Sequence, residues 1–162
     1  FHQAGKHVDT IVGFRNKDLV ILEDEFKAVS DHYYLMSDDG SVGEKGLVTQ
    51  KLEELIKNGQ KIDKVIAIGP LIMMKFVCQL TKQYDIPTVV SMNPIMIDGT
   101  GMCGGCRLMV DGKMKFACVD GPDFDGHLVD FDAAMSRNRQ YFEKERHDYE
   151  ATCNLLNKKE EN

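Results

Sequence analysis

The chain has 162 residues, of which 43% are apolar and 28% charged, with a formal net charge of −6. That suits one globular domain with an appendage, and the acidic balance excludes nucleic acid or an anionic membrane as the main partner. No apolar run approaches the ~20 residues of a membrane span, no signal peptide is visible, and the five cysteines form no disulfide framework, so a reducing, cytoplasmic setting is expected. The chain opens on Phe1 without an initiator methionine, and its first residues read as the end of a helix, as in a fragment of a longer protein.

In chain order, Lys6–Val12 reads as a buried strand ending in Gly13. Asn16 or Asp18 can cap a helix whose inner face is Leu19, Leu22, Phe26 and Val29. His32–Ser37 is a second strand, and Asp38–Gly46 a long polar turn. Thr49 begins a helix with Leu52, Leu55 and Ile56 inward, stopped at Asn58-Gly59. Lys64–Ile68 is almost wholly apolar, as a strand covered on both faces should be. Pro70 starts a helix over Leu71–Tyr84, and Thr88–Met92 is a fourth strand. Asp120–Asp132 is acidic and turn-rich, and one long charged helix is expected from Phe131 to about Lys158. Alternating strand and helix imply an α/β fold with a parallel sheet. Three segments follow: a nucleotide-type domain over 1–92, a metal-binding segment over 93–130, and a C-terminal helix and tail over 131–162.

The run from Asp98 to Cys118 carries the strongest chemical signal. Its pattern is D-x4-C-x2-C-x11-C, through Asp98, Cys103, Cys106 and Cys118. A C-x4-C-x2-C…C spacing is the ligand set of plant-type [2Fe–2S] clusters; here an aspartate stands first and can ligate iron through a carboxylate oxygen. Four of the seven residues between Asp98 and Cys106 are glycines, which let backbone N–H groups approach the sulfurs. Asp111-Gly112 lies between two short alternating runs, a two-residue hairpin signal. Its register pairs Val110 with Lys113 and sets Cys118 opposite Gly105, beside Cys106. A structural zinc site is the competing reading, because C-x2-C is also a zinc half-site; Asp98 or His127 would supply its fourth ligand, giving a zinc-stabilised, non-catalytic binding module. Cys78 reads as a core residue; His147 and Cys153 read as incidental.

Ligands of parallel sheets bind beyond the carboxyl ends of the strands. Gly69-Pro70 there opens a helix whose free N–H groups suit a nucleotide or carboxamide; a tight β–α turn is the bland alternative. Arg15 can meet a ribose or a 2′-phosphate, or simply face solvent. Asp39 and Gly40 sit in a loop that serves equally well as a solvated turn. A glycine-rich phosphate fingerprint is absent from these residues.

Gly-Phe-Arg-Asn-Lys-Asp-Leu, Ser-Asp-Asp-Gly-Ser-x-Gly-x-Lys-Gly, Ile-Gly-Pro-x-x-Met-Met-Lys and Asp-Gly-Thr-Gly-Met-Cys-Gly-Gly-Cys-Arg, in this order, resemble the ferredoxin–NADP reductase superfamily. More narrowly they are similar to the small (alpha) subunit of NADH-dependent reduced ferredoxin:NADP oxidoreductases, also called sulfide dehydrogenases. The electron-transfer subunit of dihydroorotate dehydrogenase is a related alternative. Phe-Ala-Cys-Val-Asp-Gly-Pro-Asp-Phe-Asp-Gly-His strengthens the narrow match. The resemblance implies an oxidoreductase subunit passing electrons between NAD(P)(H), FAD and a [2Fe–2S] cluster, in a heterodimer with a larger flavoprotein/iron–sulfur subunit, with ferredoxin served indirectly. It maps the cluster ligands onto Asp98, Cys103, Cys106 and Cys118, and the nicotinamide-side Gly-Pro motif onto Gly69-Pro70, with Ile68 where many reductases have cysteine. Aspartate in first place belongs to the narrow family, whereas the dihydroorotate relatives use four cysteines. Arg15 leans towards NADP, the family towards NAD. The flavin-binding barrel, the first strand of the nucleotide domain and its glycine-rich turn are not found in these residues, so FAD would be held mainly by a domain outside this chain.

Overall fold

The computed structural model of the chain describes residues 1–152. Two compact units are formed, Phe1–Asp63 and Lys64 onward. In the first, β1 (Asp9–Phe14) and β2 (His32–Ser37) run parallel, Asp9 opposite His32 and Phe14 opposite Ser37, and the two-residue β3 (Glu44–Lys45) continues the sheet beside β2. Between β1 and β2 lies α1 (Glu23–Ala28), and after β3 comes α2 (Val48–Lys57). The burial of Met36, Leu52 and Leu55 makes the small core of this unit. Lys51 is buried as well; its ammonium pairs with Glu44 at 2.7 Å and Glu54 at 3.0 Å and lies over the Tyr34 ring.

The second unit begins with β4 (Val65–Ile68), α3 (Leu71–Gln83) and β5 (Thr88–Ser91). The parallel β4–β5 pair is extended by β8 (Asp123–Asp125), which runs antiparallel to β5. Between β5 and β8 the chain makes the hairpin β6 (Arg107–Val110) and β7 (Lys113–Phe116), then the single helical turn α4 (Ala117–Asp120). Two helices follow, α5 (Phe131–Asn138) and α6 (Phe142–Thr152). Met74, Val77 and Cys78 of α3, Val90 of β5 and Leu108 of β6 are buried here. Gly126 is required by this packing: an added Cβ would run into Cys78 Sγ and stand 2.8 Å from Val90 Cγ1.

Several sequence expectations shift. The first strand starts at Asp9 rather than Lys6 and is only half-buried. The helix expected along Leu19–Val29 is broken: Asn16 caps a 3-10 turn over Lys17–Leu19, Leu22 takes φ 53°, and Leu19, Leu22 and Val29 are exposed. The Ile-Leu-Glu-Asp stretch offers no cap before Leu22, so only the acidic first turn Glu23–Glu25 nucleates helix. The apolar strand at 64–68 is an edge strand, with Ile66 46% and Ile68 71% exposed; it is not covered on both faces. Among the described residues the strands form not one parallel array but two three-stranded sheets, the second mixed, and the separate two-stranded β6–β7 sheet. The long C-terminal helix breaks between Asn138 and Phe142, because apolar anchoring ends with Phe131 and Ala134 while α6 carries no buried face among the described residues. Cys153 and the tail beyond it lie outside the described residues. Among the described residues no helix is long and apolar enough to cross a membrane.

Candidate functional site

The hairpin forms in the register read from sequence: Val110 pairs with Lys113 and Arg107 with Phe116, around Asp111 and Gly112 at φ 51° and 66°. Positive φ at both turn residues is the type I′ geometry that Asp-Gly favours. The expected place of Cys118 opposite Gly105 is not reached, however. The ladder stops at Phe116, where the Asp120 carboxylate accepts the Phe116 N–H at 2.8 Å and holds the chain in the turn α4. Cys118 is therefore presented by a helical turn, and its N–H donates to Cys106 Sγ at 3.5 Å.

The other two donors lie in the glycine-rich loop. Asp98 Oδ1 accepts the Thr100 N–H at 2.9 Å and Oδ2 the Cys103 N–H at 3.0 Å. The Thr100 N–H, against some desolvation and helped by Cys103, holds this carboxyl below the usual carboxylate range. Gly105 N–H donates to Cys103 Sγ at 3.4 Å, and the Gly101 N–H faces the Cys118 sulfur. Gly101, at φ 81°, leaves only 3.1 Å between an added Cβ and Val119 Cγ2, so a side chain there meets both backbone strain and crowding. Burial pushes the Cys106 thiol up, but the Cys118 N–H and thiol outweigh it and stabilise the Cys106 thiolate; the donated bond raises Cys118 in turn.

The four donors thus form two couples, Asp98 with Cys103 and Cys106 with Cys118. Among the described residues, no three of them bring their ligand atoms within 4.8 Å of one another. A mononuclear tetrahedral zinc needs four donors about 3.3–3.8 Å apart. Two couples suit a wider group with two metal centres, each taking two protein ligands, and the N–H groups aimed at sulfur are what such a cluster uses. Cys103 is exposed and Cys106 buried, so one couple faces solvent and the other reaches inward.

His127, the alternative zinc ligand, is engaged elsewhere: its Nε2 lies 3.0 Å from Thr81 Oγ1, which in turn accepts the Thr88 hydroxyl at 2.6 Å. Cys78 is a core residue, its thiol pushed up to about 11 by burial, with Asp125 adding. Sequence reasoning missed Arg137 of α5, whose Nη2 donates to the Gly104 carbonyl at 3.3 Å and ties the loop to the helix. A lone arginine near a helix end carries no signal for that role.

The nucleotide-type candidates are distributed over both units. In the second, Gly69 follows β4 at φ 153°, with Met73 Cε 2.6 Å from where a Cβ would be, and Pro70 caps α3. The N–H groups of Leu71, Ile72 and Met73 precede the first intrahelical donor, Met74, and remain available. In the first, Arg15 follows β1 and is exposed, and its carbonyl accepts the Asp39 N–H at 3.3 Å. Asp39 Oδ1 accepts from Ser41 N–H at 2.9 Å, and chiefly the Ser41 hydroxyl holds its carboxyl low; Gly40 sits at φ 78°. Asp39 thus shapes its own turn.

Residues 93–130 match the family model of the iron–sulfur cluster binding domain of dihydroorotate dehydrogenase B. A Thermotoga maritima homolog of the dihydroorotate dehydrogenase B (NAD(+)) electron transfer subunit is 49% identical over 148 residues, covering 91% of this chain and 52% of that protein. A Clostridium beijerinckii protein of the adh 3′ region is 55% identical over 141 residues, covering 86% of this chain and 48% of its own. A solved structure of an NADH-dependent reduced ferredoxin-NADP oxidoreductase, described in connection with flavin-based electron bifurcation, superposes with a TM-score of 0.81 at 48% identity, over 92% of this chain and 53% of that one. The chain spans about half the length of the curated relatives it matches.

Proposed function

We propose that the chain forms the nucleotide-side and cluster-binding part of an electron-transfer subunit of the dihydroorotate dehydrogenase B type, a reading supported by the matched iron–sulfur domain model and by the similar proteins. The parent enzyme would be a flavin- and iron–sulfur-dependent NAD(P)H oxidoreductase of the ferredoxin-linked type, working with a larger catalytic subunit. In this reading residues 1–92 serve the nucleotide, 93–130 the cluster and 131–162 a C-terminal helical appendage, and the first strand and flavin-binding barrel come from outside these residues.

The observation that carries the reading is the pairing of donors at 98/103 and 106/118, with three backbone N–H groups directed at the sulfurs. Asp98, Cys103, Cys106 and Cys118 would hold a [2Fe–2S] cluster. When bound, such a cluster accepts and releases single electrons. The chain's own work is to fix and tune. Asp98 supplies a hard carboxylate already held ionised by the Thr100 and Cys103 N–H groups, and the donors from Gly101, Gly105 and Cys118 stabilise negative charge on sulfur. Arg137 anchors the loop through Gly104. On the nucleotide side, the open N–H groups after Gly69-Pro70 would bind the carboxamide or phosphate of NAD(P)(H); in the other unit, Arg15 with Asp39-Gly40 is a separate candidate for contacts to an adenosine end. The assignment to the NADH-dependent reduced ferredoxin-NADP type is supported by the aspartate in first place; the dihydroorotate type is supported by the family model.

Metal analysis of the chain purified without oxygen tests the proposal. Two irons and two acid-labile sulfides per chain, lost together on replacing Cys106 by Ser, are expected. Colourless protein carrying one zinc on the cysteines would overturn it.

A further inference from the structure

A second cluster of metal-ligating side chains lies in the first unit, at the amino-terminal ends of β1 and β2. His7 and Asp9 are two apart, and in extended backbone such residues project to the same side. Register brings His32 to them, since Asp9 and His32 are direct partners across the parallel pair. The result is that His7 Nε2 and His32 Nδ1 both converge on one oxygen, Asp9 Oδ1, at 3.0 and 2.8 Å. The three ligand atoms lie within 4.8 Å of one another.

We propose that His7, Asp9 and His32 form a binding site for a borderline divalent transition-metal ion, zinc first. Two imidazoles and a carboxylate are a common three-ligand zinc set, leaving a fourth position for water. Both imidazoles are more than half exposed, so that fourth position opens to solvent. Donor atoms around tetrahedral zinc stand about 3.3 Å apart, so the two separations from Asp9 Oδ1 need to widen by only a few tenths of an ångström.

The surroundings hold these ligands as a metal site requires. Asp9 Oδ2, the oxygen that does not face the imidazoles, accepts from Gln60 Nε2. His7 Nδ1, the nitrogen pointing away from the site, lies 3.4 Å from Asp31 Oδ2, a carboxylate placed to accept the Nδ1 proton when Nε2 ligates a metal. Asp31 is fixed in turn, its carboxylate accepting the Val8 N–H at 2.7 Å and its own N–H donating to the Val8 carbonyl at 2.8 Å. That reciprocal clamp also fixes the backbone between His7 and Asp9. The site sits at the ends of β1 and β2 opposite to Arg15 and Asp39, roughly 20 Å away along six-residue strands. A metal there would staple the segment before β1 to β2 without touching Arg15 or Asp39.

Zinc titration calorimetry on the full chain, with its cysteine site loaded with iron and loosely held divalent ions removed by EDTA, tests this. One zinc ion per chain is expected. The paired substitutions His7→Gln and His32→Gln should weaken its binding by more than about 100-fold, and Asp31→Asn by about 10-fold, while iron content stays unchanged. Because His7 and His32 are exposed, circular dichroism of the double variant should match the parent. X-ray absorption at the zinc edge should report two imidazoles. Absence of zinc uptake by the folded chain, uptake indifferent to the histidine substitutions, or uptake abolished only by replacing Cys103, Cys106 or Cys118 would each overturn the proposal.

Discussion

In the proposed cluster site, Asp98 is the residue on which the electronic character turns. A carboxylate is a harder donor than a thiolate, and ligand type is one of the levers that set cluster potential. Asp98→Cys should retain iron and sulfide yet move the midpoint potential, read by redox titration with electron paramagnetic resonance. An unchanged potential would mean that Asp98 does not ligate. The spacing of Asp98, Cys103, Cys106 and Cys118 was legible in the sequence because the four residues are close along the chain. Arg137 was not, because its bond to Gly104 depends on where α5 lands.

Among the elements, the β6–β7 hairpin leads the chain to Cys118, the last of the proposed ligands. Its register followed from Asp111-Gly112 alone, since a two-residue turn leaves one pairing for the flanking runs. Gly112 has open space around a would-be Cβ, so a substitution there feels backbone strain and no clash. Gly112→Val should cost about 1–2 kcal/mol in urea unfolding and lower the iron retained per chain, whereas Asn, which tolerates positive φ, should cost less. The last step to Cys118 is not a strand feature. It is made by the Asp120 carboxylate catching the Phe116 N–H, a side-chain event that strand patterning does not reveal. Likewise, α5 and α6 separate where buried anchors run out, which charge patterning along 131–152 does not show.

For the molecule as a whole, the perturbed groups define a pH window. Asp31 and Asp39 are held below the ordinary value of 3.8, the first mainly by the Val8 N–H and the second by the Ser41 hydroxyl. A depressed folded pKa contributes stability that is present above the unfolded value and lost as pH falls through the folded one. Cys78 is raised from 9.0 to about 11 by burial, and Tyr33, whose buried hydroxyl lacks a partner among the described residues, is raised by burial from 10.0. Groups kept neutral in this way contribute stability below their unfolded values, lost as pH rises through the folded ones. Urea unfolding should therefore be least pH-dependent between about pH 4 and 9, falling on either side, and Cys78→Ala should soften the alkaline fall. An alkaline arm unchanged by that substitution would refute the role given to the Cys78 thiol.

By itself the sequence determined what depends on near neighbours: the α/β alternation, the second strand at His32–Ser37, the helix opened by Pro70, the hairpin register and the spacing of Asp98 and the three cysteines that follow it. These follow from side-chain period, backbone restriction and turn geometry, all local along the chain. Tertiary structure decided what depends on who lies alongside. It engaged His127 with Thr81 rather than with the cysteines. It also brought His32 against His7 and Asp9, residues joined by strand register and not by sequence spacing.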